Sequence, residues 1–326
     1  MLLRRVCVTD AVREVEEETR VEVDQALTLL AEDSIDENGC GCYRKTRSNH
    51  CDSFLYFNRV TDTHSVWELC GIREQKLLAL QDCGAERLRD VPDAADLNIR
   101  QRLQVRSAIE GRPIIQGEAI TKMLRQLVFP LYFFDYETAM YAVPRMVGTK
   151  PWQQIPFQYS LHVLHEDGRL THKECLSDSL GAVDHVLESL CADVGPVGSV
   201  VSWHASFEQS RNREMGVMYP AYRDALVGIN ERMFDLEGIF KEAYVDAAFC
   251  GSTSIKKVLP VLCPDLSYAD LQVQDGTQAM EQWLTMVDGD VGVDTTLAIR
   301  EALLAYCALD TYAMVELYRK LCDVVR

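Results

Sequence analysis

A chain of 326 residues with 48% hydrophobic and 25% charged residues has the make-up of an ordinary globular protein, long enough for one large domain or two modest ones. Its formal net charge of −17 excludes a protein that coats nucleic acid through a broad basic face, because phosphate neutralisation supplies most non-specific affinity. No run approaches the ~18 apolar residues of a membrane span, and the start has two arginines but no apolar signal region, which points to a cytoplasmic protein.

Residues 9–32 read as an acidic amphipathic helix, with Thr9 as cap and Val12, Val15, Val23, Ala26, Leu27 and Leu30 on one stripe. A polar turn from Asp36 to Gly41 overlaps Cys40-x-Cys42, and a basic stretch with Arg44, Lys45, Arg47 and His50 leads to Cys51. Of the 12 cysteines, Cys175, Cys191, Cys250, Cys263, Cys307 and Cys322 are scattered singly, the pattern of small buried hydrophobes. Cys40, Cys42 and Cys51 cluster, and in a cytosolic chain they read as thiols or metal ligands rather than disulfides. Zinc or an iron–sulfur cluster takes four ligands, so the fourth would come from His50, Cys70, Cys83 or a missing upstream cysteine; the alternative is an inert remnant. These features define a first region, residues 1–64.

Residues 65–129 read as a spacer of short helical pieces, interrupted at Pro92-Asp93 and Arg112-Pro113. Its Gly71-Ile72 … Leu77-Leu78 … Cys83-Gly84 … Leu88-Arg89-Asp90-Val91-Pro92 texture is helix-hairpin-helix-like, with a plain helical spacer as the other reading.

The texture changes at Leu131, opening a third region, residues 130–326. Leu131-Tyr132-Phe133-Phe134 predicts a buried central strand. Pro156 to Leu164 and Leu170 to Leu176 read as two more strands joined by a His165-Glu166-Asp167-Gly168 turn. A helix fits Ser179 to Val194, a short strand Ser199 to Trp203, and a long last helix Asp294 to Val325. This is the ribonuclease-H-like order: an α/β fold with a mixed sheet of three antiparallel strands extended by parallel ones, flanked by helices and preceded by a small helical, cysteine-containing region.

Three motifs carry chemistry. In Phe134-Asp135-Tyr136-Glu137-Thr138, residues i and i+2 share one strand face, so Asp135 and Glu137 project together. Two adjacent carboxylates repel unless a cation sits between them. In Ser202-Trp203-His204-Ala205-Ser206-Phe207-Glu208 a strand ends and a carboxylate follows at a helix start. In Tyr306-Cys307-Ala308-Leu309-Asp310 the i, i+4 spacing points Tyr306 and Asp310 from one helix face. Each motif alone is weak; their order and spacing give the specificity.

Together they resemble the motifs of the DEDD exonuclease superfamily, tyrosine subclass, and Asp235 in Arg232-Met233-Phe234-Asp235-Leu236 fits a further element of that pattern. The stretches Ala142-Val143-Pro144-Arg145, Gly148 to Ser160 and Gly251 to Pro260 narrow the resemblance. They are similar to an uncharacterised bacterial domain family, usually found C-terminal to a RecB-like nuclease module with a cysteine cluster. The resemblance spans Leu131 to Val325. Glu208 departs from it where many members have Asp, and His204 where they often have Asn. It implies that residues 1–64 are a remnant of the nuclease module, that the cysteines served an iron–sulfur cluster in fuller relatives, and that a separate nuclease or helicase is a partner.

The resemblance further implies two Mg²⁺ or Mn²⁺ ions held by Asp135, Glu137, Glu208 and Asp310, with Tyr306 orienting the attacking water in 3′–5′ exonucleolytic hydrolysis, DNA favoured over RNA. His204 and Asp235 would support the site from behind. Arg145, Lys150, Lys256 and Lys257 are candidate phosphate contacts, and Trp152 a base-stacking candidate, whereas Tyr159 reads as core. The competing readings are an exoribonuclease and a non-catalytic nucleic-acid-binding or scaffold module.

Overall fold

The computed structural model describes residues 6–34, 40–58, 64–289 and 291–326. The chain divides into two compact units, Met1–Asp62 and Thr63–Arg326. No helix among the described residues is long and apolar enough to cross a membrane.

In the first unit a helix runs Thr9–Leu30. Its cap is not the one expected: Val8 occupies that position and no side chain caps the helix. None of its residues is buried, so the stripe of Val12, Val15, Val23, Leu27 and Leu30 faces solvent. Residues 36–39 of the expected turn lie outside the described ones. Two short 3₁₀ turns, Gly41–Arg44 and Arg47–Asn49, and a one-turn helix, Phe54–Phe57, follow. Phe54 is buried and stacks on the His50 ring at 3.5 Å.

The second unit is built on a five-stranded mixed sheet flanked by helices. Numbered along the chain, its strands are β1 Leu131–Ala139, β2 Ile155–Leu164, β3 Leu170–Leu176, β4 Ser199–Ser202 and β5 Met233–Asp235. Their spatial order is β3-β2-β1-β4-β5. The first three pair antiparallel, and β4 and β5 add on in parallel. The strands read from apolar runs are all present. β5 was not expected as a strand, because Met233-Phe234-Asp235 is too short a run to show an alternating pattern.

The aromatic run of β1 is buried because helices cover both sheet faces. Leu131 and Phe133 belong to a core with the helices Glu237–Glu242, Ile255–Leu262, Gly276–Asp288 and Val293–Val324. Tyr132, Phe134 and Tyr136 belong to a second core, under the helices Val183–Asp193, Ser206–Met218 and Arg223–Glu231. The period of two in β1 sorts its side chains between these cores. Asp135 and Glu137 therefore continue the Leu131–Phe133 face, toward the C-terminal helix.

A polar ladder fixes that helix on the sheet. Gln158 donates to the Leu303 carbonyl at 3.0 Å, and Thr311 Oγ1 lies 2.7 Å from Ser160 Oγ and 2.8 Å from His162 Nδ1. All four side chains are buried, where an unpaired polar group would cost about 1–3 kcal/mol. A register shift between Glu137 and Thr138 offsets the β1–β2 ladder immediately after the second acid. Such irregularities re-aim side chains next to functional sites.

The spacer folds as short helices, Glu74–Asp82, Ile99–Glu110 and Gly117–Leu124, with 3₁₀ turns at Val66–Glu68 and Leu88–Asp90. It belongs to the same compact unit as the sheet: Ile114–Ile115 pairs antiparallel with Tyr244–Val245.

Candidate metal centre

Asp135, Glu137, Glu208 and Asp310 line one cavity of about 300 Å³. It opens just past the last paired residues of the parallel strands β1 and β4, Phe133 and Val201, where open sheets of this kind leave a crevice. Trp203, His204, Phe207, Lys256, Tyr306 and Met314 complete much of the wall.

Each acid arrives by a separate local device. Asp135 and Glu137 share a face of β1. Glu208 sits in the first turn of the helix Ser206–Met218, whose N-terminal dipole favours a negative group. Four residues on, Asn212 accepts a 3.0 Å hydrogen bond from the Tyr136 hydroxyl, which pins that helix face to β1. Asp310 and Tyr306 lie one turn apart on the C-terminal helix. Tyr268, from the loop before the helix Gly276–Asp288, donates to Asp310 Oδ1 at 2.6 Å. Sequence reasoning missed Tyr268, which no periodicity marks.

Electrostatically the pocket is strained. Burial and the neighbouring carboxyls push Asp135 and Glu137 well above the ordinary carboxylate range; Asp310 is the strongest of those neighbours for both. Burial raises Glu208 to about 8. Burial raises Asp310 to about 6, with Tyr268, Lys256 and Tyr306 pulling the other way. Lys256 lowers Asp135, Glu137 and Asp310 alike. It donates to the Tyr306 hydroxyl at 3.1 Å and to the Gln274 carbonyl at 2.7 Å. The Tyr306 hydroxyl itself is pushed upward by burial and by Asp310, Glu137 and Asp135, so it stays protonated.

The residues fit a divalent cation on three counts. Glu208 Oε2 is buried without a hydrogen-bond partner. Four acids face one lysine, a set that is costly unless further positive charge joins it. The donors are carboxylate oxygens, the choice of hard ions such as Mg²⁺ and Mn²⁺. Cys307, read from the sequence as a plain core residue, has its Sγ within 4.8 Å of oxygens of Asp135 and Glu137. Burial and these acids hold it as a neutral thiol, with Asp135 O at 4.0 Å as acceptor.

At the pocket wall, His204 takes a left-handed backbone conformation, φ 63°. Asp235 accepts from the His204 and Glu237 backbone N–H groups at 3.0 and 3.1 Å. Buried Glu237 meets His204 Nδ1 at 3.0 Å and accepts from Thr253 Oγ1 at 2.5 Å and from Lys241. Glu237 and Thr253 were not foreseen. Of the four candidate phosphate contacts, Lys256 alone lines the cavity. Lys257 and Lys150 are exposed, and Arg145 pairs with Asp288 and lies over the Tyr141 ring. Trp152 is exposed, whereas Tyr159 is fully buried with its hydroxyl on Asp193 at 2.7 Å. A second cavity of about 300 Å³, lined by Glu137, Met140, Gln154, Phe207 and Met280 among others, shares Tyr136, Glu137 and Phe207 with the first.

In the first unit, the Sγ atoms of Cys40, Cys42 and Cys51 lie within 4.8 Å of one another. Hydrogen bonding from Cys51 lowers the Cys42 thiol, and Asn58 donates to Cys40 Sγ at 3.4 Å. Among the described residues no fourth His, Asp, Glu or Cys joins this trio. His50 turns its Nε2 to the Lys45 carbonyl at 2.9 Å.

Comparison with known proteins found no curated protein and no solved structure that matches the chain. Residues 132–254 match a family described as a domain of unknown function (DUF2779), a stretch that holds Asp135, Glu137 and Glu208 and ends before Tyr306 and Asp310.

Proposed function

We propose that the second unit is a metal-dependent phosphodiester hydrolase, a 3′–5′ exonuclease acting on nucleic acid with DNA favoured. The observation that carries this reading is the meeting of four carboxyls from three distant segments in one pocket, with a buried Glu208 oxygen left unpartnered.

Asp135, Glu137, Glu208 and Asp310 would hold Mg²⁺ or Mn²⁺. Bound there, the cations would supply an acidified water and charge compensation for the leaving oxygen. The chain's own groups do the rest. Tyr306, neutral and fixed by Lys256, orients a water through its hydroxyl rather than acting as a base. Lys256 offers its ammonium to a non-bridging phosphate oxygen at the pocket wall. Phe207 and Trp203 give apolar walls beside the acids. The adjoining cavity past Glu137 is the path for the rest of the strand, and its Met140 and Met280 suit sequence-tolerant apolar contact.

The test is degradation of end-labelled single-stranded DNA and RNA with Mg²⁺ or Mn²⁺. Nucleotides are expected to be released from the 3′ end by the unmodified chain. D135A and D310A are expected to release none while keeping the native circular dichroism spectrum. Hydrolysis that survives either substitution refutes the assignment, and no release from either polymer favours a binding module.

A further inference from the structure

We infer that His64, Glu68 and Cys250 form a second metal site, chemically distinct from the carboxylate pocket and suited to Zn²⁺. One nitrogen, one oxygen and one sulfur from these residues lie within 4.8 Å of one another.

The spacing is that of ligands around a small ion. His64 Nδ1 and Glu68 Oε2 are 3.3 Å apart. Two bonds of about 2.1 Å meeting at a tetrahedral angle span about 3.4 Å, so a zinc ion would enter with little movement of either group. The donor set is equally informative. Imidazole, carboxylate and thiolate together match zinc better than the hard ions that suit four carboxylates. An ordinary surface ion pair needs only His64 and Glu68; here a cysteine sulfur joins them.

The backbone brings the cysteine there at a cost. Cys250 adopts the left-handed conformation, φ 51° and ψ 40°, which a non-glycine residue avoids. Strained conformations of this kind persist where surrounding structure holds them, often at functional sites. The next residue, Gly251, also has positive φ, and a Cβ there would sit 1.7 Å from the Glu68 carbonyl oxygen. The segment thus presses directly on the turn Val66–Glu68. Gln104 binds the Glu68 carbonyl at 2.8 Å and the Cys70 N–H at 2.9 Å, holding that turn from the other side. His64 and Glu68 side chains are 31% and 20% exposed, enough for an ion to enter and for water to complete its shell. In the ion's absence hydrogen bonding with the Cys250 sulfur, and then with Glu68, raises His64 to about 9, and Cys250 donates weakly to the Ala248 carbonyl at 3.5 Å.

A metal here would tie residues 64–68 to residue 250, three positions before Thr253. Thr253 braces Glu237, and its carbonyl accepts from the Trp203 indole at 2.9 Å. The site is therefore structural, a clamp behind the wall of the carboxylate pocket.

Cobalt(II) reports thiolate ligation through a near-ultraviolet charge-transfer band. The probe is Co²⁺ titrated into the full chain carrying C40S, C42S and C51S, which removes the other cysteine cluster. A band saturating at one equivalent is expected, displaced by Zn²⁺. C250S is expected to abolish it and H64Q to weaken Co²⁺ binding at least about tenfold, both with unchanged circular dichroism. Absence of the band in the triple variant, or its survival in C250S, overturns the proposal. Should C250S fail to fold, E68Q serves in its place: undiminished Co²⁺ affinity in both E68Q and H64Q is equally fatal.

Discussion

Asp135 faces Glu137, Glu208 and Asp310 across a pocket with Lys256 as counter-charge, and this arrangement separates function from stability at single residues. Replacing one of several crowded carboxyls by its amide removes repulsion in the metal-free fold. D135N is therefore expected to abolish hydrolysis and raise unfolding free energy by about 1–3 kcal/mol; urea denaturation without divalent cations checks it, and a destabilised D135N contradicts the repulsion. Y306F tests a subtler role. Losing a water-orienting hydroxyl is expected to lower turnover about ten- to hundredfold while leaving the Mn²⁺ affinity unchanged, read by titration calorimetry. Cys307 shows why some of this was not legible in the chain. A lone cysteine on an apolar helix face has the pattern of a core residue, and only the fold reveals the acids across from it. Tyr268 lies in a loop without period, so its hydrogen bond to Asp310 is a purely tertiary fact.

At the scale of elements, the long helix Val293–Val324 carries three pocket residues, Tyr306, Asp310 and Met314, and is set on the sheet by Gln158, Ser160 and His162 of β2. T311V replaces a buried hydroxyl by a methyl and leaves Ser160 and His162 short of a partner. It is expected to cost about 1–3 kcal/mol and to reduce activity by more than that loss of folded protein explains, because Asp310 is the neighbouring residue; thermal unfolding and initial rates on the same sample separate the two. The elements themselves were readable where pattern was strong. The run Leu131–Phe134 and the stretches later seen as β2, β3 and β4 announced themselves by apolar content and turn residues. The expected stripe on Thr9–Leu30 failed because periodicity shows which face could be buried, and nothing in the described first unit covers it. The polar ladder on β2 escaped because Gln, Ser and His at alternate positions look like a solvated face until a helix is laid on them.

For the whole molecule, the raised carboxyls make stability depend on pH. Glu208 at about 8 and Asp310 at about 6 hold protons in the folded state that the unfolded chain has already released. The folded form therefore binds more protons between roughly pH 4 and pH 8, and stability must fall as pH rises through that window. Without divalent cations the thermal midpoint is expected to be higher at pH 5.5 than at pH 8.5, by on the order of 5 °C. Mg²⁺ or Mn²⁺ should raise the midpoint most at pH 8.5, since only ionised carboxylates hold them; scanning calorimetry at both pH values checks it, and a midpoint that rises with pH contradicts the assignment. Chain order adds a temporal dimension. The pocket draws its acids from positions 135, 137, 208 and 310, so a growing polypeptide has three of them long before the fourth emerges. If these groups cut nucleic acid, a nascent chain stays inert until that last aspartate has left the ribosome and folded against the other three.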